Sequence, residues 1–203
     1  LYGGRRALAE ISFRVERGAF CALVGPSGAG KSTLLRMVNR LAAMSEGVIR
    51  LENEDVMRLE PVALRRRIGY VVQSIGLFPH WTIAQNIATV PRLLRWPETR
   101  IAERVRELLE LMRLDPGTTA ERYPHQLSGG QQQRVGVARA RAADPEVLLM
   151  DEPFGALDPV TRDALRVELG RIHKATGKTI LFVTHDIDAA LEVADVIAIL
   201  RNG

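Results

Sequence analysis

A short glycine-rich segment constrains the fold of this chain more than any other part of it. Residues Gly25–Ser32 read Gly-Pro-Ser-Gly-Ala-Gly-Lys-Ser and satisfy the phosphate-loop pattern G-x-x-x-x-G-K-[S/T]. The pattern requires a buried strand before it and a helix after it, because loop N–H groups and a helix N-terminus must converge on one anion. The segments on both sides of the loop meet this requirement, since Ala19–Val24 is apolar and Lys31–Ala43 has apolar residues at helical spacing. The segment therefore predicts an α/β protein that binds phosphate.

The remaining hydrophobic pattern agrees with this fold class. Further apolar runs of strand length are Ile68–Val72, Val147–Met150, Thr179–Val183 and Val196–Leu200. They are apolar on consecutive residues, which is typical of a parallel sheet covered on both faces. A helix is predicted at Pro159–Lys174.

The stretch from about residue 79 to 141 differs from the rest of the chain. It lacks strand runs and contains apolar residues at helical spacing, which are Ile101, Val105, Leu108, Leu109 and Met112. We interpret it as a helical insert. One domain over 1–203 is therefore predicted, with residues 1–78 and 142–203 as the core and 79–141 as a helical subdomain. The chain reads as cut at both ends, since it opens on Leu1 and closes on the turn signal Asn202-Gly203.

Composition is that of an ordinary globular protein. The 203 residues are 46% hydrophobic and 26% charged, which suffices for a substantial core. The net charge of +4 is only mildly basic, and the run Arg65–Arg67 lacks interleaved aromatics, which favours a solvated face over lipid headgroups or an acidic partner. The single Cys21 lies in an apolar run, which predicts a core thiol and a reducing, cytoplasmic setting. No apolar run reaches the ~18 residues of a membrane span.

Polar residues stand just after four of the predicted strands. They are the glycine loop, Gln73, the pair Asp151 and Glu152, and His185. Open α/β sheets bind ligands at the carboxyl ends of their strands, so these distant segments should converge on one crevice. Within it, Lys31 is predicted to contact the β- and γ-phosphates of a nucleotide, and the Ser32 hydroxyl to coordinate Mg²⁺.

Each of the later residues also has an ordinary structural interpretation. A carboxylate pair after a core strand can be a surface feature, and a lone histidine is more often structural than catalytic. Beside a phosphate loop the functional interpretation is favoured: Asp151 holds Mg²⁺ through a water, Glu152 activates the attacking water, and His185 bonds the γ-phosphate. No catalytic role is assigned to the remaining histidines, which are His80, His125 and His173.

A second anion-binding device lies about a hundred residues after the first. Residues 127–134 read Leu-Ser-Gly-Gly-Gln-Gln-Gln-Arg, with a serine and two glycines before a helical run. Such a start presents free N–H groups to an anion. The question is why one domain carries two phosphate sites.

Together these motifs resemble the nucleotide-binding domain of ATP-binding cassette (ABC) ATPases. In chain order they are the phosphate loop, the Q-loop glutamine Gln73, the signature Leu127–Gln131, the pair Asp151-Glu152, the D-loop Gly155–Asp158 and the switch histidine His185. The resemblance covers essentially the whole chain. It implies an α/β, P-loop NTPase (RecA-like) core with a mostly parallel sheet, an antiparallel β part and an inserted α-helical subdomain.

The resemblance also implies the roles of individual residues. ATP with Mg²⁺ is expected on the loop residues Gly25, Pro26, Ser27, Gly28, Ala29, Gly30, Lys31, Ser32 and Thr33. Tyr2 takes the place of the aromatic that stacks on adenine. The catalytic group is expected to be Glu152, His185, Gln73 and Lys31, and the Mg²⁺ ligands Ser32, Gln73 and Asp151. A second copy contributes Ser128, Gly129, Gly130, Gln131 and Asp158 in trans, so the signature is half of a shared site in a homodimer.

The insert favours a transporter. The interval between Gln73 and Leu127 is too short for the coiled coil of a DNA-repair ATPase, whereas a soluble ATPase of translation stays open as an alternative. Residues 75–87 resemble the segment where importer ATPases receive a permease helix, with Phe78 and Trp81 as candidate contacts. The alternative for these two aromatics is a place in the subdomain core.

A narrower resemblance concerns the transported solute. Residues 73–80, 90–97 and 122–131 are similar to importers of quaternary-amine osmoprotectants, namely glycine betaine, carnitine and choline. Other small polar solutes remain the alternative. The resemblance implies a peripheral protein on the cytoplasmic face, bound to permease subunits and served indirectly by a solute-binding protein, with no nucleic-acid partner.

Arg141 departs from the family pattern, which has leucine at this position. A buried charge is costly unless it is paired. We therefore expect Arg141 either to reach water or to meet a carboxylate.

Overall fold

The computed structural model describes residues 8, 11–155 and 157–201, so Tyr2 lies outside the described residues. Within them the strands are β1 (Phe20–Val24), β2 (Arg50–Leu51), β3 (Glu54–Asp55), β4 (Ile68–Val71), β5 (Val147–Asp151), β6 (Thr179–Thr184) and β7 (Val196–Ile199). Five of them form a parallel sheet in the order β4-β5-β6-β1-β7, and β2 pairs with β3 in a separate antiparallel ribbon. The predicted fold class is confirmed.

The helices of the described residues are α1 (Lys31–Val38), α2 (Pro61–Arg67), α3 (Ile83–Ile87), α4 (Thr89–Leu93), α5 (Glu98–Leu111), α6 (Pro116–Thr119), α7 (Gly129–Arg141), α8 (Pro159–Thr176) and α9 (Ile187–Val193), with a 3₁₀ turn at Pro124–Gln126. Single helices connect β5 to β6 and β6 to β7, whereas α3 to α7 follow one another between β4 and β5. Residues 79–141 are all described and contain helices without a strand. None of the helices that the structure describes is both long and apolar enough to cross a membrane.

The sheet is covered on both faces, as its continuous apolar strands require. Strands β1 and β6 are buried along their whole length. One core cluster joins Phe20, Met150 and Phe182 to helices α5 and α7, and the other joins Leu23, Leu149 and Val183 to α1 and α2. The prediction of a core thiol is confirmed, because Cys21 is buried and its burial raises the pKa of the thiol.

Helix α1 is shorter than its hydrophobic pattern predicts. It ends at Val38 rather than Ala43, and Leu41 is 51% exposed instead of lying on the buried face. Arg40 turns into the left-handed region (φ 50°), and the N–H groups of Arg40 and Leu41 bond back to the carbonyls of Met37 and Arg36. These two bonds form a Schellman motif, which closes a helix and redirects the chain.

Two residues of the basic run Arg65–Arg67 make hydrogen bonds within the fold, which the composition of the run did not indicate. The guanidinium of Arg65 donates to the carbonyls of Asn39 and Arg40 at 3.2 and 2.7 Å, which satisfies groups at the end of α1. Arg67 bonds Glu54 and Glu146, and these carboxylates raise the pKa of its guanidinium. Arg66 remains exposed.

The expectation for Arg141 is wrong. Its side chain is only 4% exposed, and it forms no ion pair with any described carboxylate. The physical reason is that other cations occupy the two nearby acids. Arg104 of α5 reaches the end of α7, and Lys178 pairs with Asp144 at 3.1 Å. Arg104 pairs with Glu107 at 2.8 Å and approaches Asp144 to 3.8 Å. Arg141 is left with an unbonded Nη1, and burial, followed by repulsion from Arg104, lowers the pKa of its guanidinium.

Candidate nucleotide site

The phosphate loop folds into a curl between β1 and α1. Gly28 and Gly30 have φ values of 83° and 93°, in the region that favours glycine, and Gly30 is the N-cap of α1. Lys31 is 6% exposed, and its ammonium donates to the carbonyls of Gly25 and Pro26 at 2.7 and 3.0 Å. The loop therefore gathers N–H groups, a helix N-terminus and a cation in one place, which is an anion site.

Ser32 and Asp151 meet beside this loop although 119 positions separate them. The Ser32 hydroxyl, in the first turn of α1, donates to Asp151 Oδ1 at 2.7 Å, and Asp151 ends the buried strand β5. A hydroxyl and a carboxylate are the hard oxygen ligands that Mg²⁺ takes together with substrate phosphates. The donor set fits that cation.

Glu152 lies at the centre of the crevice, with its side chain almost fully enclosed. Its carboxylate is 3.9 Å from the Lys31 ammonium and 3.0 Å from Nδ1 of His185. An ionised carboxylate only accepts hydrogen bonds, so the tautomer of His185 that makes this contact carries its proton on Nδ1. The Thr184 hydroxyl lies 3.3 Å from Glu152 Oε2. A base held between a cation and an imidazole can take a proton from water.

Gln73 is the one predicted catalytic residue that stays apart within the described part of the chain. It follows β4 by two positions and is exposed, and its side chain bonds none of Ser32, Asp151 or Glu152. The structure thus brings together Lys31, Ser32, Asp151, Glu152 and His185, as the strand-end argument predicts.

The signature segment forms a helix N-terminus directed to solvent. Ser128 caps α7 in a capping box: its hydroxyl accepts from Gln131 N–H at 3.3 Å, and the Gln131 side chain accepts from Ser128 N–H at 3.0 Å. The Ser128 proton therefore remains available to donate. The N–H groups of Gly129 and Gly130 belong to the first turn, where no intrahelical acceptor exists.

Gly130 marks a close approach between two helices. A Cβ at this position would collide with Cγ2 of Thr161 at the start of α8. Asp158 caps α8 and accepts from Thr161 N–H at 3.0 Å, while the Thr161 hydroxyl and N–H lower the pKa of the Asp158 carboxyl. Across the described residues no hydrogen bond joins Ser128–Gln131 to the loop Gly25–Thr33. Within one chain, the phosphate loop and the N-terminus of the signature helix are therefore not joined to each other.

The aromatic pair of the insert faces outward. Phe78 and Trp81 are 44% and 41% exposed, with ring centroids 4.5 Å apart, so the core alternative does not hold for them. Asn86 is buried and anchors this loop, accepting from Phe78 N–H and donating to the carbonyls of Phe78, Trp81 and Thr82. The pair is a partly apolar projection on a loop that Asn86 anchors.

The sequence model of the ABC transporter family matches residues 8–155, a range that contains the loop, the signature and both strand-end carboxylates. The chain belongs to the ABC transporter family. Curated relatives include the glycine betaine uptake system ATP-binding protein YehX of Escherichia coli (strain K12), 56% identical over 203 residues. Another is the glycine betaine/carnitine/choline transport ATP-binding protein OpuCA of Bacillus subtilis (strain 168), 54% identical over 201 residues.

These relatives are longer than the chain. The match with YehX covers 100% of this chain and 66% of YehX. The match with OpuCA covers 99% of this chain and 53% of OpuCA. Among solved structures, the dimeric post-hydrolysis state of the ATP-binding cassette MJ0796 bound to ADP and Pi superimposes with a TM-score of 0.84. That pair is 34% identical, and the match covers 97% of this chain and 87% of the other.

Sequence reasoning missed one residue of this ABC site. Thr184 is buried at the end of β6, with its hydroxyl toward the Glu152 carboxylate. The sequence indicates this role only weakly, because a hydroxyl at the last position of an apolar strand is also common where a strand simply ends.

Proposed function

We propose that this chain binds ATP with Mg²⁺ and hydrolyses it to ADP and phosphate. The observation that carries the proposal is the meeting of three separate segments at one sheet edge: Lys31 and Ser32 with Asp151, Glu152 and His185. Loop N–H groups and Lys31 hold the phosphates. Ser32 and Asp151 would hold Mg²⁺, and the ion would supply positive charge beside the phosphate oxygens.

The chemical step needs little more than positioning. Glu152 accepts a proton from a water molecule as the water oxygen forms a bond to the γ-phosphorus. The bond from that phosphorus to the β–γ bridging oxygen breaks, and ADP leaves. Lys31 and the loop N–H groups stabilise the charge on the phosphoryl oxygens. In its imidazolium form His185 can donate through Nδ1 to Glu152 and through Nε2 to the γ-phosphate. Gln73 is proposed to reach the metal and the water from its loop, and Tyr2 to stack on adenine.

We infer that two copies form the complete site. Ser128, Gly129, Gly130, Gln131 and Asp158 of one copy would close over ATP held by the loop of the other. Two features support this. The signature helix has an available Ser128 proton and free N–H groups, and no hydrogen bond among the described residues joins it to its own phosphate loop. The similarity to a dimeric cassette bound to ADP and Pi points the same way. In this proposal residues 79–141 act as a helical subdomain on the core formed by 1–78 and 142–203.

The biological role we propose is to power an importer of quaternary-amine osmoprotectants. Relatives with this role in their names are 56% and 54% identical to the chain. The protein would lie on the cytoplasmic face of the membrane, bound to permease subunits through Phe78 and Trp81. Import of another small polar solute is the second candidate, and a soluble ATPase without a permease the third.

Glu152→Gln separates nucleotide binding from hydrolysis. The amide cannot accept the proton, so the variant should retain bound ATP, lose at least about a hundredfold in kcat and accumulate as a dimer. Steady-state phosphate release and gel filtration with Mg²⁺-ATP measure this. Rapid multiple turnover by the variant would rule out Glu152 as the base, and a wild-type protein without ATPase activity would refute the function.

Solute identity is tested in cells. Radiolabelled glycine betaine uptake should disappear when the coding sequence carries Lys31→Ala and return with the wild-type sequence. Loss of uptake of a different solute, with betaine uptake intact, would favour the second candidate.

A further inference from the structure

The Thr184 hydroxyl has a hydrogen-bond pattern that directs its proton. Thr184 is the last residue of β6 and is 1% exposed. Its Oγ1 accepts from the N–H of Asp186 at 3.0 Å and lies 3.3 Å from Oε2 of Glu152. A hydroxyl has one proton, and an ionised carboxylate can only accept. The chain of bonds therefore runs from Asp186 N–H through Thr184 to Glu152.

This contact differs from the two other groups near the carboxylate. The His185 side chain is 60% exposed, and Lys31 lies at 3.9 Å, beyond hydrogen-bond distance. Thr184 is buried and β-branched, so its χ1 angle is confined. Of the three neighbours, Thr184 is the one with the least freedom to move.

The backbone of Glu152 needs such an anchor. Glu152 has φ of 49°, which is uncommon for a residue other than glycine. Its N–H donates to the carbonyl of Val183 at 3.0 Å, so β6 holds Glu152 by the backbone at Val183 and by the side chain at Thr184. Backbone in this region persists where its surroundings determine it.

We propose that Thr184 is a positioning residue that fixes the carboxylate of Glu152 for proton transfer. The inference rests on the proposed function, in which Glu152 accepts the proton of the attacking water. Thr184 itself takes no part in bond making. It acts through Glu152, and it lies outside the phosphate loop. Its loss should therefore lower kcat and leave the KM for ATP unchanged.

The test is steady-state ATP hydrolysis with Mg²⁺ by the purified full-length protein and three variants. Thr184→Val keeps the shape and removes the hydroxyl, and we expect kcat to fall about tenfold, as for a displaced catalytic group, with KM within about twofold. Thr184→Ser restores the hydroxyl and should return kcat to within about threefold of wild type, the shortfall reflecting its freer χ1 angle.

Thr179→Val is the matched control. Thr179 begins the same strand, is buried, and accepts from Gly18 N–H at 2.9 Å, so the variant also loses a buried hydrogen bond but at the opposite end of β6. Its kcat should stay within about twofold of wild type even if its melting temperature falls as far as that of Thr184→Val.

Other outcomes overturn the inference. An unchanged kcat in Thr184→Val, an equal loss in the Thr179→Val control, or a raised KM in place of a lowered kcat would each refute it. If Thr184→Val does not fold, Thr184→Ala assayed below its melting temperature replaces it with the same expectation. A wild-type protein that fails to hydrolyse ATP refutes the proposed function instead, and the wild-type measurement comes first.

Discussion

The guanidinium of Arg141 is buried beside Arg104, and the nearby carboxylates Glu107 and Asp144 already pair with Arg104 and Lys178. A buried donor without a partner costs on the order of 1–3 kcal/mol, and more when the group is charged. Arg104 even donates to the carbonyl of Arg141 itself, at 3.1 Å, so the two side chains are held close together. Arg141 is therefore a position where the native residue lowers stability.

We expect Arg141→Leu to raise the free energy of unfolding by about 1 kcal/mol, because an apolar side chain needs no hydrogen-bond partner there. For a chain of this size the melting temperature should rise by about 2–4 °C. Thermal unfolding followed by circular dichroism measures the change. Arg106→Leu, on the exposed side of α5, is the control and should leave the melting temperature unchanged. A lower melting temperature for Arg141→Leu would mean that the guanidinium has a stabilising partner.

At the scale of elements, two glycines inside regular secondary structure differ in how tightly their surroundings are packed. Gly69 lies in β4, where an added Cβ would collide with the carbonyl of Ala140 in α7 and with Leu148 of β5. Gly170 lies inside α8 with nothing within 4 Å of an added Cβ. The first glycine permits a helix to pack directly on a strand, whereas the second only weakens its helix.

Alanine at each glycine should therefore move stability in opposite directions. Gly69→Ala should cost about 2 kcal/mol through overpacking against backbone. Gly170→Ala should gain about 0.5–1 kcal/mol, since glycine is a poor helix former. Chemical denaturation of both variants gives the two free energies. Equal and small effects would contradict the close packing of α7 on β4.

At the scale of the whole molecule, the proposed dimer makes the loop and the signature of one chain halves of two different sites. Two defective chains should then complement one another. Lys31→Ala damages the phosphate loop of one copy, and Ser128→Arg blocks the signature of the other. A mixed dimer retains one intact site out of two, so it should recover about half of the wild-type ATPase rate.

Co-expression with two different tags, followed by purification through both, isolates the mixed dimer. Each variant alone should be inactive, and Ser128→Arg should still bind ATP as a monomer because its own loop is intact. If each chain contained a complete site, the mixed dimer would be as inactive as its parents.

Much of this architecture was predictable from the order of residues. The parallel sheet follows from strands that are apolar on consecutive residues, and the crevice follows from polar residues placed just after those strands. Lys31, Ser32, Asp151, Glu152 and His185 were predicted to converge, and they do. Patterns of this kind are local, and local spacing determines which face or end of an element a residue occupies.

Other features depended on contacts between distant segments. The end of α1 at Val38 needed the turn at Arg40 and the guanidinium of Arg65, which no helical pattern contains. Arg141 forms no ion pair because Arg104 pairs with Glu107 and Lys178 pairs with Asp144. Thr184 meets Glu152 only because β5 and β6 are neighbours in the sheet. The sequence by itself determined the elements and the chemistry available at their ends, whereas tertiary packing decided which of those groups touch.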